Sequence, residues 1–250
     1  MSARVPITDV ISHEIRIPAS LVRLLQTIIV VIMPLLLLFG SVQLLATDPY
    51  LTFEYGRADF PPDRYAFDAA QRLAYASANF RYVRDGLSLD ALADQRRGDT
   101  PLYNSRELKH MQDVQGVYQV AWVVWMIALN LFLLIAFALG WRRDTRPALA
   151  VALKRGGLLT AGLVAALGLL AVVAWRLWFV AFHQVFFLPG SWVFNASDTL
   201  IRLFPEKFWF DTALNLAGLS LTGGLLVARI GWRLERRFQR ASASAHSHTP

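Results

Sequence analysis

The chain contains no cysteine. That absence excludes disulfides, thiolate-held zinc or iron–sulfur sites, a thiol nucleophile, and lipid attachment through a cysteine of its own. Charge is scarce too: 17% of the 250 residues are Asp, Glu, Lys or Arg, against about 25% in an average domain. Familiar catalytic signatures are missing. No phosphate loop, dinucleotide fingerprint or HExxH occurs. Gly218-Leu219-Ser220 lacks the second glycine and the preceding strand of a nucleophile elbow. A His-x4-Asp acyltransferase motif starting at His110 would need Asp at position 115, which is Gln115.

What the chain has is apolar bulk. It is 55% hydrophobic and 12% aromatic, too apolar to be disordered and too short for more than one or two domains. Four stretches match the roughly 20 apolar residues that a helix needs to cross lipid: residues 21–46, 117–141, 156–187 and 208–228. Strands cannot cross lipid unless they close a barrel, and runs this long read as helices. The first is too long for the apolar region of a signal peptide, and Thr47-Asp48-Pro49 offers no clear cleavage site. The expected fold is an all-α membrane protein with four transmembrane helices and an extracytoplasmic helical cap.

Charge orients these spans. Both termini and residues 142–155 share one side, with 13 Lys/Arg and four acids, a net of +9. Residues 47–116 and 188–211 share the other, with 11 basic and 14 acidic residues, a net of −3. Cytoplasmic loops carry the positive excess. Both termini are therefore expected in the bacterial cytoplasm, and the 47–116 cap and the 188–207 interfacial segment outside. The overall charge of +7 is then a topology signal, and no nucleic-acid partner is needed.

In the cap, Phe60-Pro61-Pro62-Asp63 reads as a turn. Ala66, Ala70, Leu73, Ser77 and Phe80 follow at helical spacing, and Gly86 stops that helix. Ser88 can cap a short helix reaching Gln95, and Arg97-Gly98-Asp99-Thr100-Pro101 ends it. Asn104 with Glu107 resembles a capping box, starting a helix that runs unbroken into the second span. Leu200, Ile201 and Phe204, opposite Asp198 and Arg202, suggest a short helix lying in the lipid boundary. Trp192, Phe194 and their aromatic neighbours suit the same boundary. The cytoplasmic tail 229–250 ends in the low-complexity stretch 241–250, expected to be disordered.

Of five histidines, His13, His246 and His248 read as solvated. His110, at the outer mouth of the second span, and His183, at the outer end of the third, are expected at one depth. A bundle can bring them together. Asp113, three residues after His110 and on its face, can orient that ring, with Glu107 as the next acid. Arg176 lies two turns below His183 and should face the bundle with a partner, such as Asp211, Asp198, Glu54 or a phosphate; the alternative is snorkelling to the interface. Asp211, in the first turn of the fourth span, either serves that charge or merely caps the helix.

Several stretches resemble successive motifs of one family. They are Phe60-Pro61-Pro62-Asp63-Arg64-Tyr65, Asn104-Ser105-Arg106-Glu107-Leu108-Lys109-His110-Met111-Gln112-Asp113-Val114, Phe182-His183-Gln184-Val185-Phe186-Phe187 and Ser191-Trp192-Val193-Phe194. Asp198-Thr199-Leu200-Ile201-Arg202-Leu203-Phe204-Pro205 and Phe208-Trp209-Phe210-Asp211 continue the series. In this order they are similar to the bacterial four-span integral membrane family that includes lipoprotein intramolecular transacylases. The resemblance runs from about Phe53 to Asp211.

The resemblance implies a cofactor-free, metal-free enzyme of the bacterial cytoplasmic membrane. It would move the sn-2 acyl chain of a diacylglyceryl-cysteine onto that cysteine's α-amino group, giving a lyso-form lipoprotein. The family's two functional histidines fall on His110 and His183, as acid and base. Arg176, Asp198, Arg202 and Asp211 are candidates for binding the substrate, a diacylated lipoprotein embedded in membrane lipid. Three other readings stand beside this one. The two histidines can ligate haem axially; with Asp113 they can hold zinc; or the protein is a non-catalytic lipid-binding scaffold.

Overall fold

A computed structural model of the protein describes residues 17–246. In chain order its elements are α1 (Ala19–Leu45), α2 (Asp48–Tyr55), α3 (Ala69–Asp85), α4 (Asp90–Ala93), β1 (Arg96–Arg97), β2 (Thr100–Pro101), α5 (Ser105–Trp141), α6 (Arg146–Val173), α7 (Trp175–Phe186), α8 (Thr199–Leu203) and α9 (Glu206–His246). The two short strands form an antiparallel hairpin, and all else is helical or loop. Four helices, α1, α5, α6 and α9, are long and apolar enough to cross a membrane. Their outward faces carry Val31, Val120, Ile127, Leu134, Leu158 and Leu225, all exposed as a lipid-facing surface requires.

Inside the bundle, small residues replace large ones where α6 meets α9. A Cβ on Gly157 would stand 2.4 Å from the Gly224 carbonyl oxygen, and one on Gly231 would stand 2.4 Å from the Lys154 nitrogen. The two backbones therefore touch, with Ala150, Ala161 and Ala228 completing the seam. In lipid such contact is a main source of helix association, because burying leucine against leucine gains little over leucine against acyl chains. Polar links brace the remaining pairs. Ser220 donates to Ser41 at 3.1 Å, and the Trp125 indole donates to the Leu36 carbonyl at 3.0 Å.

The cap packs over one end of the bundle. Leu51, Ala76, Tyr82, Leu92, Leu203, Phe204 and Phe208 form its core. Arg72 is buried there and donates to the carbonyls of Pro61 and Arg202, each at 2.7 Å. The capping box at the head of α5 is present: Asn104 accepts from the Glu107 nitrogen at 3.0 Å, and Glu107 accepts from the Asn104 nitrogen at 2.9 Å. Gly86 closes α3 in the left-handed region at φ +66°, as the sequence predicts.

Several expectations change. The 156–187 span is not one helix: it breaks at Ala174, and α7 leaves as a separate aromatic arm whose Trp175 ring meets Phe210 of α9 at 5.2 Å. The fourth helix does not stop at 228 but continues helically to His246, held by the Lys154–Glu235 pair at 2.6 Å. Residues 241–246 are thus helical rather than disordered; residues 247–250, with His248, and His13 lie outside the described residues. Ala66, counted with the helical spacing, instead precedes α3 in the left-handed region, and Asp68 caps the helix. Ser88 places no side-chain cap on α4. The short helix α8 turns Leu200 and Leu203 into the cap core and not into lipid. Helix α2 was not foreseen, although Asp48-Pro49 is an ordinary start signal.

One buried acidic pair joins cap to bundle. Glu54 of α2 is 0% exposed, and neither of its oxygens receives a hydrogen bond from a protein donor. Arg57 lies 3.8 Å from Glu54 and 3.7 Å from Asp211, while Lys207 holds Asp211 at 2.6 Å. Two facing carboxyls can bond each other only when one keeps its proton. Burial, and then the neighbouring Asp211, push the Glu54 pKa up to about 7 against the pull of Arg57 and Lys207.

Gly157→Ala and Gly231→Ala should each cost about 1–3 kcal/mol by overpacking, whereas Gly162→Ala, which meets nothing within 4 Å, should be neutral or stabilising. Thermal unfolding in detergent reads both. For Glu54 the folded state binds the proton more tightly than the unfolded chain. Its stability contribution is therefore full below the ordinary carboxylate pKa and is lost as pH rises through about 7. Glu54→Gln should remove that fall, on the order of 1–3 kcal/mol between pH 5 and pH 8. A wild-type pH profile in the variant would place the proton elsewhere.

Candidate active site

Ala174 redirects the chain so that α7 carries His183 back beside the head of α5. The His183 ring sits among aromatic faces: Phe179 at 4.1 Å, Trp192 at 4.7 Å, Phe182 at 5.5 Å and Phe187 at 5.6 Å between centroids. Its Nδ1 lies 2.7 Å from the Phe179 carbonyl oxygen. A carbonyl can only accept, so Nδ1 carries the proton in this contact and the neutral ring presents a bare Nε2.

His110 stands in the second turn of α5. It is 9% exposed, and its Nδ1 is buried without a hydrogen-bond partner. Phe187 and Phe194 meet the ring edge-on at 5.0 and 5.3 Å. Phe187 therefore touches both imidazoles, and the two histidines are brought to one aromatic chamber as their expected depth implied. The chamber has one more unsatisfied group. The Trp192 indole nitrogen is buried and has no acceptor, while its ring packs on His183.

The expected acids behave differently. Asp113 does not bond His110; it accepts from Lys109 at 2.8 Å, one helical turn back. Glu107 is buried, but its oxygens are taken by the Asn104 nitrogen and the Leu200 nitrogen, at 2.9 and 2.8 Å. It locks α8 onto α5 and does not orient His110. Among the described residues no group of three or more His, Asp or Glu side chains is placed to hold a metal ion, so the zinc arrangement lacks its third ligand. Asp211 sits in the second turn of α9, not the first, and is paired with Lys207.

The basic candidates divide. Arg176 opens α7, is exposed, and has no acidic partner among the described residues, so it does not face the bundle as expected. Arg202 is committed to the cap: it donates to both oxygens of Asp63 at 3.1 and 3.0 Å and lies 3.5 Å from the centre of the Phe67 ring. Asp198 pairs with Arg106 at 3.1 Å and accepts from the Asn195 nitrogen at 2.8 Å. That pair stands at the chamber's rim, because Arg106 also covers the face of Phe194. Trp192, Phe187 and Phe194 are the site residues that sequence reading missed. Their aromatic clustering was visible but reads equally as a membrane-interface belt.

Comparison with known proteins bears on the family and the fold. The model of the family described as lipoprotein intramolecular transacylase Lit matches residues 27–209. An uncharacterized protein of Aquifex aeolicus (strain VF5) is 31% identical over 219 residues, which is 84% of this chain and 94% of that one. Among solved structures, the membrane integral transacylase Lit of Bacillus cereus superposes with a TM-score of 0.75 at 18% identity, covering 89% of this chain and 100% of that one. A second structure of that protein, with one histidine replaced by arginine, gives 0.54 at 17% identity, covering 89% and 95%. The match over residues 27–209 covers well over half of the chain, and the protein belongs to the lipoprotein intramolecular transacylase family.

Proposed function

We propose that this protein moves the sn-2 acyl chain of a diacylglyceryl-cysteine to the α-amino group of the same cysteine. The observation that carries the reading is the pair of imidazoles in one aromatic chamber, His183 with a bare Nε2 and His110 with an unpartnered Nδ1. Family membership supports the transacylase activity.

An α-amine has a pKa near 8, so at neutral pH a modest base suffices to free its lone pair. The amine nitrogen attacks the ester carbonyl; a C–N bond forms, and the tetrahedral carbon gathers an oxyanion. The His183 Nε2 takes the amine proton. The C–O bond to the glycerol then breaks, and the departing alkoxide takes a proton, leaving an amide and a free hydroxyl. His110 supplies that proton and takes in its place the one held on His183, so both rings end neutral as they began. No water, cofactor or covalent protein intermediate enters the balance. The Trp192 N–H, already desolvated, donates to the oxyanion. Because nucleophile and ester belong to one molecule, the protein's main task is to orient them. The aromatic walls exclude water, which would otherwise compete with the amine for the ester.

Mass spectrometry of a lipoprotein's N-terminal lipopeptide tests this directly. His110→Ala and His183→Ala should each lower conversion to the N-acyl lyso-form by about 10²- to 10⁴-fold, and the double variant should be little worse than either. Trp192→Phe keeps the ring and removes the N–H. It should lower kcat by about 10²-fold with KM little changed. Full activity at normal expression in any of the three would remove that residue from the mechanism.

The outer-leaflet location belongs to the same proposal and rests on the charge asymmetry. The natural chain lacks cysteine, so single cysteines report cleanly. In intact cells an impermeant thiol reagent should label Asp99→Cys in the cap and leave Asp144→Cys, between α5 and α6, unlabelled until lysis. The reverse pattern would invert the topology.

A further inference from the structure

At the end of the bundle away from the histidines, α1 and α6 part to leave a cleft of about 280 Å³. Arg23 and Arg155 flank it, Gln26 and Thr27 add polar edges, and Val30 and Val151 form an apolar wall. Among the described residues neither guanidinium has an acidic partner, and the two acids at this end are already engaged. Asp144 is paired with Arg142 at 3.4 Å and Glu235 with Lys154 at 2.6 Å. The Gln26 amide donates to the Ala148 carbonyl and the Thr27 hydroxyl to the Arg23 carbonyl. The two arginines therefore hold the cleft's free donors.

Two unpaired guanidiniums flanking one cleft favour an anion between them. Arg155 stands nine residues into α6 from Arg146, a rise of about 14 Å, and is exposed where the apolar stretch of α6 begins, as Arg23 is at the start of α1. The ends of α1, α6 and α9 around the cleft, with the turn between α5 and α6, carry eleven Lys/Arg against two acids among the described residues, a field that draws anions toward it. Further along the same helices Val31, Leu158 and Leu159 are exposed. An occupant with a phosphate at one end and acyl chains at the other matches both parts. A free phosphate matches only the first.

We propose that the Arg23–Arg155 cleft is a binding site for the headgroup of an anionic phospholipid in the leaflet opposite the histidine chamber. The guanidiniums bracket the phosphodiester, and the acyl chains lie along the exposed leucines and valines of α1 and α6. The lipid is a structural ligand that ties α1 to α6. It is separate from the acylated substrate.

The test uses the full-length protein in neutral detergent, with phosphatidylglycerol, phosphatidylcholine or inorganic phosphate added at equal phosphorus. Native mass spectrometry should retain one phosphatidylglycerol, which should also raise the Tm more than phosphatidylcholine does. Arg23→Gln with Arg155→Gln should weaken that binding at least tenfold and abolish the lipid-specific Tm gain, with the Tm in phosphatidylcholine unchanged. The matching double Arg→Lys variant should bind, though more weakly, because a point charge replaces a bidentate fork. Undiminished phosphatidylglycerol binding in the Gln variant, or equal retention of phosphatidylcholine, overturns the proposal. Equal protection by inorganic phosphate alone overturns the lipid assignment. High salt should weaken binding to the unaltered protein, a measurement that needs no variant; insensitivity to salt overturns the site.

Discussion

The contact between α6 and α9 governs the architecture. With a backbone oxygen of Gly224 where a Cβ on Gly157 would go, and Lys154 likewise against Gly231, these two helices cannot slide or rotate independently. Their alignment fixes where α9 begins. Its first turns then carry Phe208 into the cap core and Asp211 to Glu54 and Arg57. The same alignment carries α6 to Ala174, where the chain turns and places Trp175 against Phe210. The histidine chamber is thus assembled from segments whose positions are set within the bundle, several helical turns away.

Much of this was legible in the amino-acid sequence because lipid narrows the choices. Inside a bilayer the backbone must satisfy itself, so a long apolar run can only be a helix, and the four spans follow. The start of α5 was legible for a different reason: Asn104 and Glu107 cap each other across three residues, a wholly local event. The break at Ala174 was not legible. No glycine or proline marks it, and its visible correlate is the packing of Trp175 on α9, a contact between residues 35 positions apart. The extension of α9 escaped as well, since hydropathy reports where lipid ends and not where a helix ends. Beyond the lipid, the ion pair of Glu235 with Lys154 keeps it against α6.

The site divides along the same line. The two histidines could be placed by depth alone, because both lie at the ends of apolar runs. Their partners could not. Spacing along a helix made Asp113 a fair partner for His110, yet three- and four-residue spacings both lie on one face, and Lys109 takes the carboxylate with an opposite charge. Arg202 carried the same ambiguity. A buried arginine serves a substrate or a fold, and here the Asp63 carboxylate and the Phe67 face occupy it. What identifies Trp192 is a missing bond, its buried indole nitrogen without an acceptor. No sequence pattern displays an absent partner.

The lack of a carboxylate on either imidazole fits the proposed chemistry. Acyl transfer from oxygen to nitrogen within one molecule begins and ends neutral: an amine and an ester become an amide and an alcohol. A proton leaves one atom of the substrate and returns to another, so the protein need only hold it briefly. A carboxylate bonded to the base would favour the charged ring and slow the return of that proton. The Phe179 carbonyl fixes the His183 tautomer without adding a charge. Asp113 is paired with Lys109 and acts on His110 only through space, with no hydrogen bond to the ring. In the proposed reaction the aromatic rings would hold the imidazoles in place and keep water from the ester, because that reaction calls for orientation rather than for a standing field.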